Sequence, residues 1–326
     1  MRHPSLSSSP SLGLYFDFRN PSTWQRDPAA HYRWTLDLIA EADRRGIGSV
    51  WVTEHHFFED GYLSQPLTAL AAIAARTEHC RLGTAVVLAP LYPAVQIAEQ
   101  AAIVDLVSNG RLELGLGAGY VLPEFEAYGA DIAQRYPTTD ATIAEVGRLL
   151  ESGGVTPSSV QDPLPRWAGY LGPIGAGRAG RLGVGLLTLN RDSYVIYRDA
   201  LEAAGHDPAD ARMAGVANFM VADDPESAYE RVLPHLTHQL NSYRSNAAAG
   251  RDKPARKLSE DEVRSRGSGV IRPLEVLSAE EARIRVRTLT EDLPIEHVYV
   301  WASIGAMPDD LAIRQMELLT ELSLDD

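Results

Sequence analysis

The chain is predicted to be an α/β protein folded as a (β/α)8 TIM barrel in a single domain. Three observations predict it. Short apolar runs alternate with segments whose apolar residues recur every three to four positions, the pattern of buried parallel strands joined by crossover helices. About eight such strand-and-helix units fit along the chain, the number a closed barrel needs. The 326 residues also exceed the roughly 250 of a typical barrel, leaving room for insertions, and no linker divides the stretch from Leu12 to Leu322. A doubly wound open sheet is the alternative that the pattern alone leaves standing.

The elements follow in order. Residues 1–11 are rich in Ser and Pro, with one Arg and no apolar stretch, so they read as a disordered tail rather than a targeting signal. Leu12 to Phe18 is an apolar and aromatic strand, ended by Arg19-Asn20-Pro21. A helix is predicted over 28–45 from the spacing of Tyr32, Thr35, Leu36, Ile39 and Ala42, with Gly46 and Gly48 stopping it. Ser49 to Thr53 is the second strand and runs into Glu54-His55-His56. A helix over 66–78, a strand over 82–88, a helix over 93–107 closed by Asn109-Gly110, and a strand over 111–116 complete the first half. Later strands are expected near 166–171, 184–189, 214–221 and 296–302. Helices are expected over 139–151, 174–182, 191–204, 225–245 and 308–322. Residues 246–280 are polar and basic and contain Gly267-Ser268-Gly269, so they read as a long insertion, a lid or a disordered loop.

Composition narrows the function. With 30 Lys and Arg against 44 Asp and Glu, the formal charge is −14, which opposes binding to nucleic acid or to anionic membranes. The one cysteine, Cys80, allows no intrachain disulfide, and no cluster with metal-ligand spacing is present, so no metal is expected. No stretch reaches the roughly 20 apolar residues of a membrane helix, and the cytoplasm is the expected compartment.

In a barrel, catalytic groups sit at the C-terminal ends of the strands. Glu54, His55 and His56 follow the second strand. Neighbouring residues on a strand face opposite ways, so one histidine at most enters the barrel mouth. His55 is the candidate general acid or base, with Glu54 beside it, although a strand-end histidine can also simply satisfy backbone groups. Gly117-Ala118-Gly119 could let backbone approach a flat ligand or could serve only a strand end that needs positive φ. Gly175-Ala176-Gly177-Arg178-Ala179-Gly180 fits G-x-G-x-x-G formally. It reads either as a phosphate cradle, with Gly172 and Ile174 before it, or as a glycine-rich helix packed closely on its neighbour.

Taken together, several stretches resemble the bacterial luciferase-like monooxygenases. They are Val50 to Phe57, Leu82 to Val87, Pro93 to Asp105, Ser108 to Gly119, Glu124-Phe125, Arg178 to Gly183, and His297-Val298-Tyr299-Val300-Trp301 through Met307-Pro308. The resemblance implies one barrel domain over 12–322 and a flavin monooxygenase using reduced FMN and oxygen, through a C4a-peroxyflavin, on a small organic substrate. It also implies a separate flavin reductase and a homodimer, and relatives pair through the region of the 66–78 and 93–107 helices. A coenzyme F-420-dependent hydride-transfer enzyme in the same fold is the alternative, and a non-catalytic flavin-binding subunit a third reading. By resemblance, His55 matches the family's active-site histidine. Ala85–Val86 falls where the family has a non-prolyl cis peptide behind the flavin ring, and Gly172, Ile174 and Gly175 match the phosphate loop. Two departures stand out. Ala118 occupies a position where luciferase-type sites often carry an arginine, so Arg178 or another cation would have to meet the phosphate; the Gly-Ala-Gly form is also common among F-420 relatives. The stretch from Leu150 to Pro165 is shorter than in many relatives, which carry an extra hairpin there. Phe16, Trp51, Phe57 and Tyr120 are the candidates for the apolar wall of the site.

Overall fold

The computed structural model describes residues 9–151, 153–251, 253–266, 273–322 and 324. The expected tail over 1–8 and the Gly267-Ser268-Gly269 segment lie outside the described residues. Ser11, counted with the tail in the sequence reading, belongs to the first strand.

The elements are β1 (Ser11–Phe16), α1 (Pro28–Arg44), β2 (Ser49–Val52), α2 (Pro66–Ala74), β3 (Arg81–Thr84), β4 (Val87–Leu88), α3 (Ala94–Ser108), β5 (Leu112–Gly117), α4 (Leu122–Tyr128), α5 (Arg135–Glu151), β6 (Arg166–Gly169), α6 (Gly172–Leu182), β7 (Gly185–Leu187), α7 (Arg191–Ala203), β8 (Met213–Val216), β9 (Phe219–Val221), α8 (Pro225–Ala248), α9 (Glu260–Arg266), β10 (Glu275–Leu277), α10 (Ala279–Thr290), β11 (Ile295–Trp301) and α11 (Asp309–Glu321). Strands run β3-β2-β1-β11-β8-β7-β6-β5-β4, and pairing of β3 with β5 closes the ring. Every pairing in it is parallel, for example Val52 opposite Thr84 between β2 and β3. With β3 and β4 as two parts of one interrupted strand, this is a closed eight-strand barrel ringed by helices, as the alternation predicted; the open sheet is excluded.

Local chemistry explains many boundaries. Asp27 caps α1 by accepting from the Ala30 N–H, and Pro28 opens it. Asn109, at φ +56°, ends α3 in the left-handed conformation that asparagine tolerates better than most residues. A capping box between Ser278 and Glu281 starts α10.

Inside the barrel, indoles occupy the space that glycines leave. Trp51 lies over Gly83 and Trp167 over Gly185, where any Cβ would collide with the indole. Trp51 stacks on Tyr299 at 4.8 Å and meets Trp167 edge-on at 6.2 Å. Beneath them the buried Glu113 accepts from Trp167 Nε1 at 2.7 Å and from Arg81. Burial alone would raise its pKa, but the facing His297, Arg81 and Arg212 outweigh burial and bring it down to about 2. The larger core lies outside the sheet, against the helices.

Three expectations change. The predicted strand over 214–221 is split: β8 stays in the barrel, while β9 leaves it and pairs with β10 from the insertion. The insertion is therefore partly structured, with α9, β10 and the start of α10, and several of its arginines are paired, Arg256 with Glu262 and Arg264 with Glu230. The G-x-G-x-x-G segment does not open a helix. It lies inside α6, where a Cβ on Gly180 would press on Tyr197 and Ala200 of α7, so close helix packing explains that glycine. Residues 153–165 contain no helix or strand.

Candidate active site

The site is built where β2 and β3 end side by side. Val52 and Thr84 are paired, so His55 stands three residues beyond one strand end and Ala85 one residue beyond the other. The Ala85–Val86 peptide is cis, and it interrupts the strand into β3 and β4. Glycines around it are explained by space. A Cβ on Gly117 or Gly169 would run into the Val86 side chain, and one on Gly115 into the Thr84 carbonyl. Tyr15 donates its hydroxyl hydrogen to the Ala85 carbonyl from inside the barrel. The bulge is thus held from below by a tyrosine and flanked by bare backbone, leaving a surface against which a flat ring can lie.

The two histidines, both past the end of β2 at Val52, face different neighbours. His55 is buried with its ring stacked on Phe58 at 4.5 Å and edge-on to Tyr62 and Tyr120 at 5.0 and 5.1 Å. Its Nδ1 is 2.9 Å from Glu124 Oε1, and the Tyr120 hydroxyl is 3.2 Å from its Nε2. A carboxylate only accepts, so Nδ1 carries the hydrogen and leaves Nε2 to exchange a hydrogen bond with the Tyr120 hydroxyl. Glu124 also accepts from the His56 backbone N–H at 2.8 Å, so one carboxylate sets both the ring and the chain that carries it.

Glu54 stands elsewhere than beside His55. Its side chain is buried; Oε2 accepts from the Leu88 N–H at 2.7 Å, and Oε1 takes His56 Nε2 at 2.8 Å and the Tyr92 hydroxyl at 2.5 Å. With both oxygens engaged, Glu54 ties the end of β2 to the strand beyond the bulge. The partner His55 does have, Glu124, was missed as a site residue. Pro123 at a helix start places Glu124 in the first turn of α4, but no local pattern pairs it with His55.

Of the four proposed wall residues only Tyr120 touches His55. Phe16 points outward into the core against the helices, because its neighbour Tyr15 points into the barrel. Trp51 fills the barrel interior, and Phe57 is 66% exposed. Phe58, Tyr62 and, from α8, Tyr243, none of them picked from the sequence, complete the mouth, packed on Arg19 at the end of the first strand.

Gly172, at φ +70°, opens α6, and no side chain caps that helix N-terminus. Ile174 and Leu171 are 77% and 85% exposed there. Exposed helix N–H groups with a favourable dipole suit an anion such as a phosphate. Gly175 meets Tyr170, close enough that only a glycine fits without displacement. Arg178 pairs with Asp140, which also accepts from the Tyr170 hydroxyl at 2.5 Å, so its charge is already partly met. Ala118 is buried and brings no charge. The glycine-flanked bulge at Ala85–Val86 and the uncapped start of α6 are the parts of this end of the barrel that could hold the ring and the phosphate of a flavin-type cofactor.

A parallel barrel with these features at the C-terminal ends of its strands defines a class, the barrel oxidoreductases that work with a flavin or deazaflavin. The chain belongs to the luciferase-like monooxygenase family, whose sequence profile matches residues 12–293. It is 37% identical over 113 residues to the oxygenase component of the flavin-dependent trigonelline monooxygenase of Acinetobacter baylyi, covering 35% of this chain and 29% of that one. It is 28% identical over 241 residues to limonene 1,2-monooxygenase of Rhodococcus erythropolis, covering 66% and 62%. It is also 28% identical over 218 residues to the F420-dependent glucose-6-phosphate dehydrogenase of Amycolatopsis mediterranei, covering 60% and 65%. The matches thus span less than two thirds of each of these relatives. Among solved structures, a monooxygenase from Streptomyces bottropensis superposes with a TM-score of 0.78 at 26% identity, over 96% of this chain and 98% of that one. The relatives named above include both flavin-dependent and F420-dependent enzymes.

Proposed function

We propose that the protein is the oxygenase of a flavin-dependent monooxygenase, acting with reduced FMN and oxygen on a small organic substrate, with residues 12–322 as its barrel domain. The observation that supports this reading is the His55–Glu124 pair, at the end of the strand that pairs with the one broken by the cis Ala85–Val86 peptide. Ala85, Val86, Gly117, Ala118 and Gly119 would seat the ring. Gly172, Ile174 and Gly175 would take the phosphate on backbone N–H groups, with Arg178 nearby. Bound reduced flavin supplies the electrons that divide dioxygen between product and water. The chain's own part is threefold. Glu124 keeps the His55 Nδ1 hydrogen in place and balances positive charge on the ring when Nε2 takes a proton. Tyr120 relays a hydrogen at that Nε2, and Phe58, Tyr62 and Tyr243 keep water out. Glu54 acts as a positioning residue, holding His56 and the backbone of Leu88.

A relative named as an oxygenase component supports a separate reductase as partner. Val95, Ile103, Leu106 and Val107 leave an exposed apolar stripe on α3, which supports a homodimer. Among the described residues no helix is long and apolar enough to cross a membrane, and we place the protein in the cytoplasm, where reduced nicotinamide would drive the reductase.

The second reading, F420-dependent hydride transfer, is favoured by one observation: no arginine stands at position 118. Affinities for reduced FMN, oxidised FMN and F420, followed by product analysis under oxygen and under argon, decide between them. Tight F420 binding with oxygen-independent turnover overturns the monooxygenase reading.

A further inference from the structure

Lysine is almost absent from this chain. Of its 30 basic residues 28 are arginines, and the two lysines, Lys253 and Lys257, stand four positions apart in the insertion. Between 244 and 266 there are seven basic and four acidic residues, whereas the rest of the chain holds 23 basic and 40 acidic ones. A strongly acidic protein thus carries a local positive stretch, and the place of that stretch in the fold decides what it can do.

Two anchors put it at the barrel mouth. Gly250 lies against Leu122, so closely that a Cβ on it would come within 2.8 Å of the leucine side chain. Leu122 is two residues from Tyr120, whose hydroxyl meets His55 Nε2. At the other anchor the Leu258 N–H donates to Asn241 Oδ1 at 2.7 Å, and Asn241 Nδ2 donates back to the Leu258 carbonyl at 2.9 Å. Asn241 is two residues from Tyr243, whose ring lies 6.0 Å from that of His55. Arg244 donates to the Arg256 carbonyl between these points. The segment therefore doubles back along the end of α8, at the rim of the opening that leads to His55. Arg251, Lys253 and Lys257 are exposed there. None of the ion pairs among the described residues engages them, whereas Arg256 is paired with Glu262. Acidic residues stand nearby: Glu260 and Asp261 open α9, and Glu59 and Glu126 are exposed on the loop after β2 and on α4. The positive charge is thus confined to the α8 side of the mouth.

An anion diffusing toward a chain of formal charge −14 meets repulsion over most of the surface, and a local positive patch offers it a path of lower energy. A phosphate monoester, with close to two negative charges at neutral pH, feels this strongly. The N–H groups that suit a phosphate lie elsewhere, at the uncapped start of α6, where Arg178 is already paired with Asp140. Attraction and seating fall to different parts of the molecule.

We propose that Arg251, Lys253 and Lys257 form an electrostatic rim that draws a phosphate-bearing flavin from solution into the barrel mouth. The rim raises the rate of capture and leaves the strength of final binding to the seat inside. The ligand class is a diffusible anion that carries phosphate on a flat ring system. The inference rests on the proposed oxygenase reading, in which reduced flavin arrives from a separate reductase and must be captured before oxygen consumes it in solution.

Stopped-flow fluorescence measures association and dissociation rates of three ligands with the full chain: FMN, riboflavin, which has the same ring without the phosphate, and F420. The native chain is compared with the double variant Lys253→Glu, Lys257→Glu. At about 10 mM salt, where screening extends over about 30 Å, the variant is expected to capture FMN about tenfold more slowly with dissociation unchanged. At about 1 M salt, where screening falls to about 3 Å, the two chains should converge. Riboflavin should associate equally fast with both. An FMN association rate that the variant leaves unchanged at low salt overturns the proposal. Equal slowing of riboflavin overturns it as well, because a structural change and not charge would then be responsible. Faster dissociation at an unchanged association rate overturns it by making the lysines part of the seat. Loss of reductase-coupled turnover at an unchanged FMN association rate overturns it in favour of a reductase contact. If F420 binds and FMN does not, the oxygenase reading falls, and the same comparison of rates with F420, also an anion, decides the rim. FMN capture at a rate indifferent to the variant keeps the oxygenase reading and removes the rim, and a chain that binds neither cofactor overturns both.

Discussion

At the scale of single residues, the site depends on which carboxylate meets which imidazole. Glu54 and Glu124 are both buried and both bonded to a histidine, yet only Glu124 reaches the ring at the mouth. His55→Ala is expected to lower turnover by about 10²–10⁴-fold, with flavin affinity little changed. Glu124→Gln should lower kcat without changing flavin affinity, because the amide cannot balance a charged imidazole. Steady-state kinetics beside a fluorescence titration of flavin check both. A silent His55→Ala together with a crippled His56→Ala would reverse the assignment of the two rings. The adjacent pair was legible in the sequence. The partner was not, because Glu124 lies 69 positions away and only closure of the barrel brings it near.

At the scale of elements, the bulge between β3 and β4 and the helix start at Gly172 decide where a cofactor can lie. The glycines that border Val86 are there for room. Gly117→Ala places a methyl against the Val86 side chain and must shift the bulge. Flavin affinity is expected to fall at least about tenfold, about 1.4 kcal/mol, while the barrel still folds. Calorimetric titration measures it, and unchanged affinity would remove the bulge from the ring site. The strand and helix order was readable from periodicity. The strand over 214–221 was drawn as one run because only Asn218 interrupts its apolar residues, and only the partner decides that β9 turns away to β10. The helix α10 was missed although Ser278 and Glu281 spell a capping box, because the polar insertion around it dominates the composition.

At the scale of the whole molecule, the base of the barrel carries a buried carboxylate that joins its own strand to three others and to the arginine preceding a fifth. Glu113 on β5 meets Arg81 of β3, Trp167 of β6, Arg212 beside β8 and His297 of β11. Its folded-state pKa is depressed, to about 2, so its contribution to stability is present above the ordinary value of 4.5 and is lost as pH falls from there towards 2. Glu113→Gln is therefore expected to cost on the order of 3 kcal/mol at neutral pH and nothing comparable near pH 2. Denaturant unfolding at several pH values tests this, and a pH-independent difference would contradict the sign. The apolar stripe on α3 belongs to the same scale. Ile103→Asp should convert the proposed dimer to monomers, as read by light scattering, and a native chain already monomeric at micromolar concentration removes the proposal.

The sequence by itself determined the alternation of strands and helices and the histidine pair past the second strand, while closure into a barrel rather than an open sheet was decided by the pairing of β3 with β5. The alternation and the place of the pair depend on local periodicity and on a topology that puts every strand end at one face. The sequence determined too that Ala118 brings no charge. What only the tertiary structure decided is which distant groups meet: Glu124 on His55, Tyr15 under Ala85, Tyr243 from α8 over Arg19, and Trp51 inside the barrel rather than at its mouth. Those contacts join residues tens to hundreds of positions apart, so no local pattern encodes them. They arise from strand register and from the space that particular glycines leave, and both exist only once the sheet has closed.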